Sequence, residues 1–446
     1  MFVKVENLAN SQIIQQVNGF ADITVKGTVE DYVPDPAQPG AVMVGIFREN
    51  NLSCVIPYTF AEMDGNRFTV TFKDVPAGGL YTLRTKYSPF DSLDCDLNGE
   101  VIHHIGVGDI WVIAGQSNAV GYGKTPVVNV PDPRVRLFSL RGFWRDGTVP
   151  LHDDFTTEGF LTGCSPFVSF ANELVDALNY PIGLIQTAWG GTPIEAWAKG
   201  QGLYNRMMEC IQKAGGKVKG IAWHQGCSDA DSEKADKYLE RFTQFVKDVR
   251  ADLNDPDLPF VTCQLNKFVA LYDGEADHCF GKVKDAQRRA AHEIPNVFVT
   301  VSHDLPLVDF VHNNGVANEE LGHRMGWSAL EGVYGKKYLG HAPEASKLVY
   351  SGKTLTITFD HVYMWFMQRW APAKYFDLVL EDDAGELTAV NAKCVKNQWI
   401  VEMDREVEGK LLCSYAPWRL NNGLMPYDFA TGMPPLSFYR MEVACE

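Results

Sequence analysis

The sequence predicts an α/β protein in three zones: a central parallel-sheet domain over residues 106–340, set between β-rich flanks at 1–105 and 341–446. Three observations carry this. Short apolar runs alternate with helix-period segments through the middle of the chain, as a parallel sheet with helices on both faces requires. Alternating, turn-punctuated runs fill both flanks. A chain of 446 residues also exceeds what one hydrophobic core usually organises, which calls for two or three domains.

In the first zone "ADITVKGTVE" (21–30), "AVMVGIF" (41–47), "NRFTVTFKDV" (66–75) and "LYTLRTKY" (80–87) read as strands, separated by turns such as "PDPAQPG" and "MDGN". A small sandwich accommodates them. In the central zone the strand-like runs are "DIWVIAG", "PIGLIQTAWGG", "VKGIAWHQG", "PFVTCQLN" and "NVFVTVSHD". Between them "SPFVSFANELVDALN" (165–179), "SEKADKYLERFTQFVKDVRADL" (232–253) and "VKDAQRRAAHEI" (283–294) repeat apolar residues at helical spacing. The third zone returns to strands with "KLVYSGKTLTITF", "FDLVLED", "ELTAVNAKCV" and "QWIVEMD". It closes on an aromatic-rich, loop-like segment, "APWRLNNGLMPYDFATGMPPLSFYRMEV", which is expected to pack against a neighbouring surface.

Forty basic against 56 acidic residues give a net charge of −16, with no Lys/Arg cluster, which argues against a nucleic-acid partner. No apolar run approaches membrane-spanning length, and "MFVKVENLANSQ" has no signal-peptide core, so no membrane partner is expected. Ten cysteines without CxxC pairs or regular spacing predict reduced thiols and a cytoplasmic setting. Eleven histidines show no metal-ligand spacing, so neither a metal nor any other cofactor is expected.

The chemically loaded turns "GQSN", "WGGT", "HQGC" and "SHDLP" each follow a strand of the middle zone. That gathers them at the carboxyl edge of the sheet, where open α/β sheets keep their sites. Serine hydrolysis needs a base, an acid that orients it, and donors for an oxyanion. "VDFVHNNG" supplies Asp309 and, three residues on, His312, a spacing that lets one loop present both side chains together. Alone, D-x-x-H is unspecific. Gly190 and Gly191 leave backbone N–H groups unshielded, and the Gln225 amide can donate; the bland readings are a helix-initiating turn capped by Thr192 before Pro193, and a buried amide bracing loops. "GQSNA" also stands one residue from the G-x-S-x-G nucleophile elbow, but Ala119 occupies the place of the second glycine.

With "GQSN", "IGLIQTAWGGTPIEAW", "WHQG" and "VDFVHNN…GHRMG" in this order, the middle zone resembles the SGNH-type hydrolases. Within that superfamily it is similar to the sialate O-acetylesterases and related carbohydrate O-acetylesterases. The matching stretches cover much of residues 106–340, and "WGGTPIEAW" is the most specific. The ending "GLMPYDFATGMPPLSF" resembles that family's "GLP…PF" close.

The resemblance implies a flavodoxin-like three-layer α/β/α domain flanked by β-sandwich-like domains. It implies a Ser-His-Asp acyl-enzyme mechanism with Ser117 as nucleophile, His312 as base and Asp309 as orienting acid. The oxyanion donors would be the Ser117 N–H, Gly191 or Gly190, and the Gln225 amide. Gln116, Asn118, Trp189 and Trp197 are the expected substrate contacts, and Arg141, Arg145 or Arg324 would meet a sialic acid carboxylate. The chain departs from the family at Ala119 (usually Met), Cys227 (usually Glu) and His312-Asn313 (usually His-Pro).

The implied function is a carbohydrate O-acetylesterase acting on a small O-acetylated sugar, sialate 9-O-acetyl esters first. Xylan, mannan or xyloglucan oligosaccharide esters are the enzymatic alternative, and a non-catalytic glycan-binding protein is the alternative of another class. The oligomeric state stays open, a homodimer among the options.

Overall fold

The computed structural model describes residues 1–32, 40–50, 53–88, 97–124, 127–152, 162–269, 274–368, 372–421 and 424–446. Most of the "PDPAQPG" turn and Gly423 of the closing segment lie outside them.

The organising element is a single strand, Leu97–Gly115, which leaves the N-terminal region and becomes the middle of the central sheet. Its first part pairs antiparallel with Gly78–Ser88. Its second part pairs parallel with Ile182–Gln186 on one side and Gly220–His224 on the other. The 105/106 boundary expected from the change in sequence pattern thus falls inside a continuous strand, since the switch of partner leaves the backbone extended.

Beyond Gly220–His224 the strands Phe260–Cys263 and Val297–Thr300 continue the parallel order. On the other side Val135–Phe138 adds a parallel strand and Trp144–Asp146 an antiparallel edge. Side chains alternate across the sheet because successive strand residues point to opposite faces. Ile110, Val112 and Ala114 enter one core with the helices α3 (Gly202–Ala214), α4 (Tyr238–Asp252) and α5 (Gly274–Glu293). Trp111 and Ile113 enter the other core with α2 (Phe167–Leu178) and α6 (Gly315–Gly332). The result is an α/β fold of three layers, buried on both sheet faces.

In the N-terminal region an antiparallel sheet built on Phe2–Val5, Phe20–Glu30 and Arg67–Pro76 packs against the layer containing Ala41–Arg48 and Gly78–Ser88. Val25, Val29, Phe68 and Phe72 from one layer share a core with Val44, Ile46, Leu83 and Ile105 from the other. The C-terminal region forms an eight-stranded sheet between Glu344 and Cys445 around Trp399, Phe359 and Tyr415. Its closing segment packs inward: Met433 and Leu436 meet Val299 of the last parallel strand and Val301 just beyond it. The Ser437 N–H donates to Gln264 Oε1 at 2.8 Å, so the end of the chain is fixed to the carboxyl edge of the central sheet. No described helix is long and apolar enough to cross a membrane.

Candidate active site

The Leu97–Gly115 strand ends on a residue that only glycine can supply. Gly115 has φ +131°, and a Cβ there would lie 2.2 Å from the His224 carbonyl oxygen. Glycine therefore lets the central strand finish pressed against its neighbour, with the Gln116 N–H donating to His224 O at 3.0 Å. The chain then turns into a one-turn helix, α1 (Ser117–Val120), whose first residue is Ser117. Ser117 is 8% exposed. Among the described residues its backbone N–H donates to no protein acceptor, as expected for the first residue of a helix.

His312 and Asp309 share the hairpin that Leu307 and Asn313 close by a β-bridge. His312 Nδ1 lies 2.8 Å from Asp309 Oδ2, while Asp309 Oδ1 accepts the N–H groups of Val311 at 2.9 Å and His312 at 2.7 Å. Burial raises the Asp309 pKa, but these donors outweigh it and hold the carboxyl below its ordinary value. The carboxylate is thus the acceptor that keeps a proton on Nδ1 and leaves Nε2 free as a base. The imidazole stacks on Tyr122, with ring centroids 4.4 Å apart and planes at 16°. Tyr122 lies two residues beyond α1, so the histidine ring is anchored to the segment that carries Ser117. Ser117 Oγ makes no hydrogen bond among the described residues, and catalytic contacts of this kind commonly close only around substrate.

Gly190 completes the cluster. A Cβ on it would stand 3.6 Å from the Tyr122 hydroxyl and 3.9 Å from Ser117 Cβ, so its bare face looks at the serine. Its N–H donates to no described acceptor. Gly191, the other glycine expected here, is exposed with φ +70°, and its freedom serves the turn.

Four expected contacts are corrected. Gln225 Nε2 donates to Thr192 O at 3.0 Å and to Asp229 Oδ2 at 2.5 Å. Both neighbours only accept, so the amide nitrogen faces them and braces the two loops, leaving no N–H for an oxyanion. Gln116 is turned inward too, its Oε1 accepting the Gly226 N–H at 3.0 Å and the Ser228 N–H at 3.4 Å. Asn118 binds the backbone around His312, through Nδ2 to Val311 O and through Oδ1 from the Asn313 N–H. Trp197 is fully buried against Trp223, its Nε1 donating to Thr192 Oγ1, so it meets no ligand. Trp189 remains half-buried beside the Gly190 turn, under the Arg206 guanidinium at 5.1 Å.

The competing groups have other duties. Asp304 forms a two-pronged pair with the buried Arg324 at 2.7 and 2.8 Å, which removes Arg324 as a ligand for a substrate carboxylate. Arg145 donates to the carbonyls of Asp146, Pro150 and Leu151. His323 pairs with Glu173 at 2.6 Å. His303 is fully buried beside Tyr415, and burial holds its pKa well below the ordinary value. At Cys227 burial pushes the thiol up to about 12, so the side chain stays neutral. Sequence reasoning missed Tyr122 and Asp229. Each lies within five residues of a recognised motif residue, and that proximity was the available signal.

Residues 107–331, half of the chain, match the family described as carbohydrate esterase, sialic acid-specific acetylesterase. A probable carbohydrate esterase of Arabidopsis thaliana is 31% identical over 246 residues, which cover 50% of this chain and 90% of that protein. The human sialate O-acetylesterase is 23% identical over 385 residues, 72% of this chain and 71% of its own. The structure of a carbohydrate acetylesterase from Xanthomonas citri superposes with a TM-score of 0.70 at 21% identity, covering 98% of this chain and 99% of that one, which shows a common fold. By the half of its length that matches and by a relative covered almost end to end, this chain belongs to the sialic acid-specific acetylesterase family of carbohydrate esterases.

Proposed function

We propose that the protein is a serine carbohydrate O-acetylesterase of the SGNH type that removes acetyl groups from sugar hydroxyls. The observation that carries the reading is the Asp309–His312 pair, stacked on Tyr122 beside the helix that begins at Ser117. In this mechanism Ser117 Oγ attacks the acetyl carbonyl carbon while His312 Nε2 takes the hydroxyl proton. Asp309 stabilises the imidazolium without taking its proton. The negative oxygen of the tetrahedral intermediate accepts from the N–H groups of Ser117 and Gly190, which donate to no protein acceptor among the described residues. His312 then protonates the departing sugar oxygen. Water, deprotonated by the same imidazole, attacks the acetyl-serine, and His312 returns that proton to Ser117 Oγ as acetate leaves.

Sialate acetyl esters are the favoured substrates, on the strength of the family match and of relatives named sialate O-acetylesterase. The test is acetate release from 9-O-acetyl sialic acid, acetylated xylo-oligosaccharides and acetylated manno-oligosaccharides, with wild type and Ser117→Ala in parallel. Ser117→Ala should lose at least three orders of magnitude of turnover and fail to react with a fluorophosphonate. Activity within tenfold of wild type would remove the serine mechanism. Preference for the plant-type oligosaccharides would replace the sialate reading and leave the esterase standing.

A further inference from the structure

We propose that Asn118 is a positioning residue that sets the distance between nucleophile and base by clamping the His312 backbone to the helix of Ser117. The inference rests on the Ser117–His312–Asp309 reading.

Its starting point is a gap in the restraints. Asp309 orients the imidazole, but it belongs to the same hairpin, three residues away, so it fixes the ring relative to its own loop and not relative to Ser117. Ser117 and His312 come from segments almost 200 residues apart, and a misplacement of about 1 Å between reacting groups costs on the order of 10²-fold in rate.

Among the described residues, two side chains of the serine segment reach the hairpin. One is Tyr122, whose ring stack supports the imidazole face. The other is Asn118, which grips the backbone on both sides of His312. Its Nδ2 donates to the Val311 carbonyl at 3.3 Å, and its Oδ1 accepts the Asn313 N–H at 3.0 Å. A carbonyl only accepts and an N–H only donates, so the amide orientation is fixed by its partners. Asn118 is 2% exposed and adjoins Ser117 in a one-turn helix, so the clamp is short and sheltered from water. Asn313 is held from behind as well, its Oδ1 accepting from Asn266 Nδ2 at 2.6 Å. The segment around His312 is thereby held between α1 and the loop that follows the Phe260–Cys263 strand.

The experiment compares Asn118→Ala with wild type in steady-state turnover of p-nitrophenyl acetate, in the rate of fluorophosphonate labelling, and in each case again on a His312→Ala background. Melting curves accompany every variant. Asn118→Ala should lower kcat and the labelling rate by about 10²-fold, with KM within about threefold of wild type, because the amide touches no substrate. On the His312→Ala background the same change should cost less than about threefold, since a clamp acting through the histidine has nothing left to position.

A raised KM with unchanged kcat would make Asn118 a substrate contact and overturn the proposal. So would an undiminished loss on the His312→Ala background, which would assign it to the serine or the oxyanion. Should Asn118→Ala fail to fold, Asn118→Ser carries the same comparison. Ser117→Ala separates the two levels of the reading: full activity there overturns the serine mechanism and the clamp together. Loss there with wild-type kcat in Asn118→Ala overturns the clamp alone.

Discussion

A methyl group placed on Gly190 tests the site with little disturbance to the fold. Gly190 has no left-handed φ, so alanine fits its backbone without strain. The added Cβ would meet the Tyr122 hydroxyl at 3.6 Å and Ser117 Cβ at 3.9 Å, both ordinary contacts. Stability should therefore hold or rise, since alanine restricts the unfolded chain and typically stabilises by about 0.4–1 kcal/mol at a compatible site. On the proposed placement of the oxyanion, the methyl fills the space between Gly190 and Ser117 that the acetyl oxygen would occupy. Denying the oxyanion one donor costs about 10²–10³-fold in kcat, or about 2.7–4 kcal/mol of transition-state stabilisation. Gly190→Ala should show that loss in acetate release together with an unchanged or raised melting temperature. Two neighbouring glycines are the controls. Gly191 has φ +70°, so Gly191→Ala should cost stability by about 1–2 kcal/mol while leaving more of the activity. Gly115→Ala would place a Cβ 2.2 Å from a backbone oxygen and should fold poorly. Wild-type turnover in a well-folded Gly190→Ala protein would refute the placement of the oxyanion.

Asp309→Asn should lower kcat by about 10⁴-fold if the protease precedent for a wrong tautomer transfers. Asp304→Asn should instead leave the chemistry and destabilise the fold by about 1–3 kcal/mol, because it takes the two-pronged charged partner from the buried Arg324, which keeps Glu320; parallel kinetics and denaturant titrations decide, and the reverse pattern would exchange the two roles. Gln225→Ala removes the brace between Thr192 and Asp229 and should cost about 1–3 kcal/mol of stability with kcat little changed; a 10²-fold fall in kcat at unaltered stability would return it to the oxyanion. Burial lowers the His224 pKa to about 4, below its ordinary value of 6.5, so the folded state binds fewer protons than the unfolded one in that interval. Its contribution is present above pH 6.5 and is lost as pH falls, reaching about 3 kcal/mol near pH 4. Unfolding free energies at pH 7, 5.5 and 4.5 should decline more steeply in wild type than in His224→Gln, and equal slopes would remove the assignment.

The order of strands and helices in the middle zone was legible because periodicity is a local property. An apolar run such as "PIGLIQ" can be buried on both faces only as an inner strand, and the spacing of Phe167, Phe170, Leu174 and Val175 closes only as one face of a helix. The pairing of Asp309 with His312 was legible for the same reason, since three residues separate them. The N-terminal boundary was not, because a strand that changes partners keeps one backbone conformation and leaves no mark where it crosses from one sheet to the next. Nor were the directions of the amides. "GQSN" and "WHQG" show that Gln116, Asn118 and Gln225 stand at strand ends. Whether each turns toward a ligand or toward a loop depends on acceptors and donors brought in from elsewhere in the chain, such as Asp229, Gly226 and Val311. The same holds for the acids near the histidine: Asp304 and Asp309 look alike in "SHDLPLVDFVH", and Arg324, approaching from α6, takes the first. Sequence determined which chemical groups reach the carboxyl edge of the sheet. Tertiary structure decided which of them keep a free hydrogen-bonding atom there, because a buried amide or carboxylate binds the partners that packing brings to it.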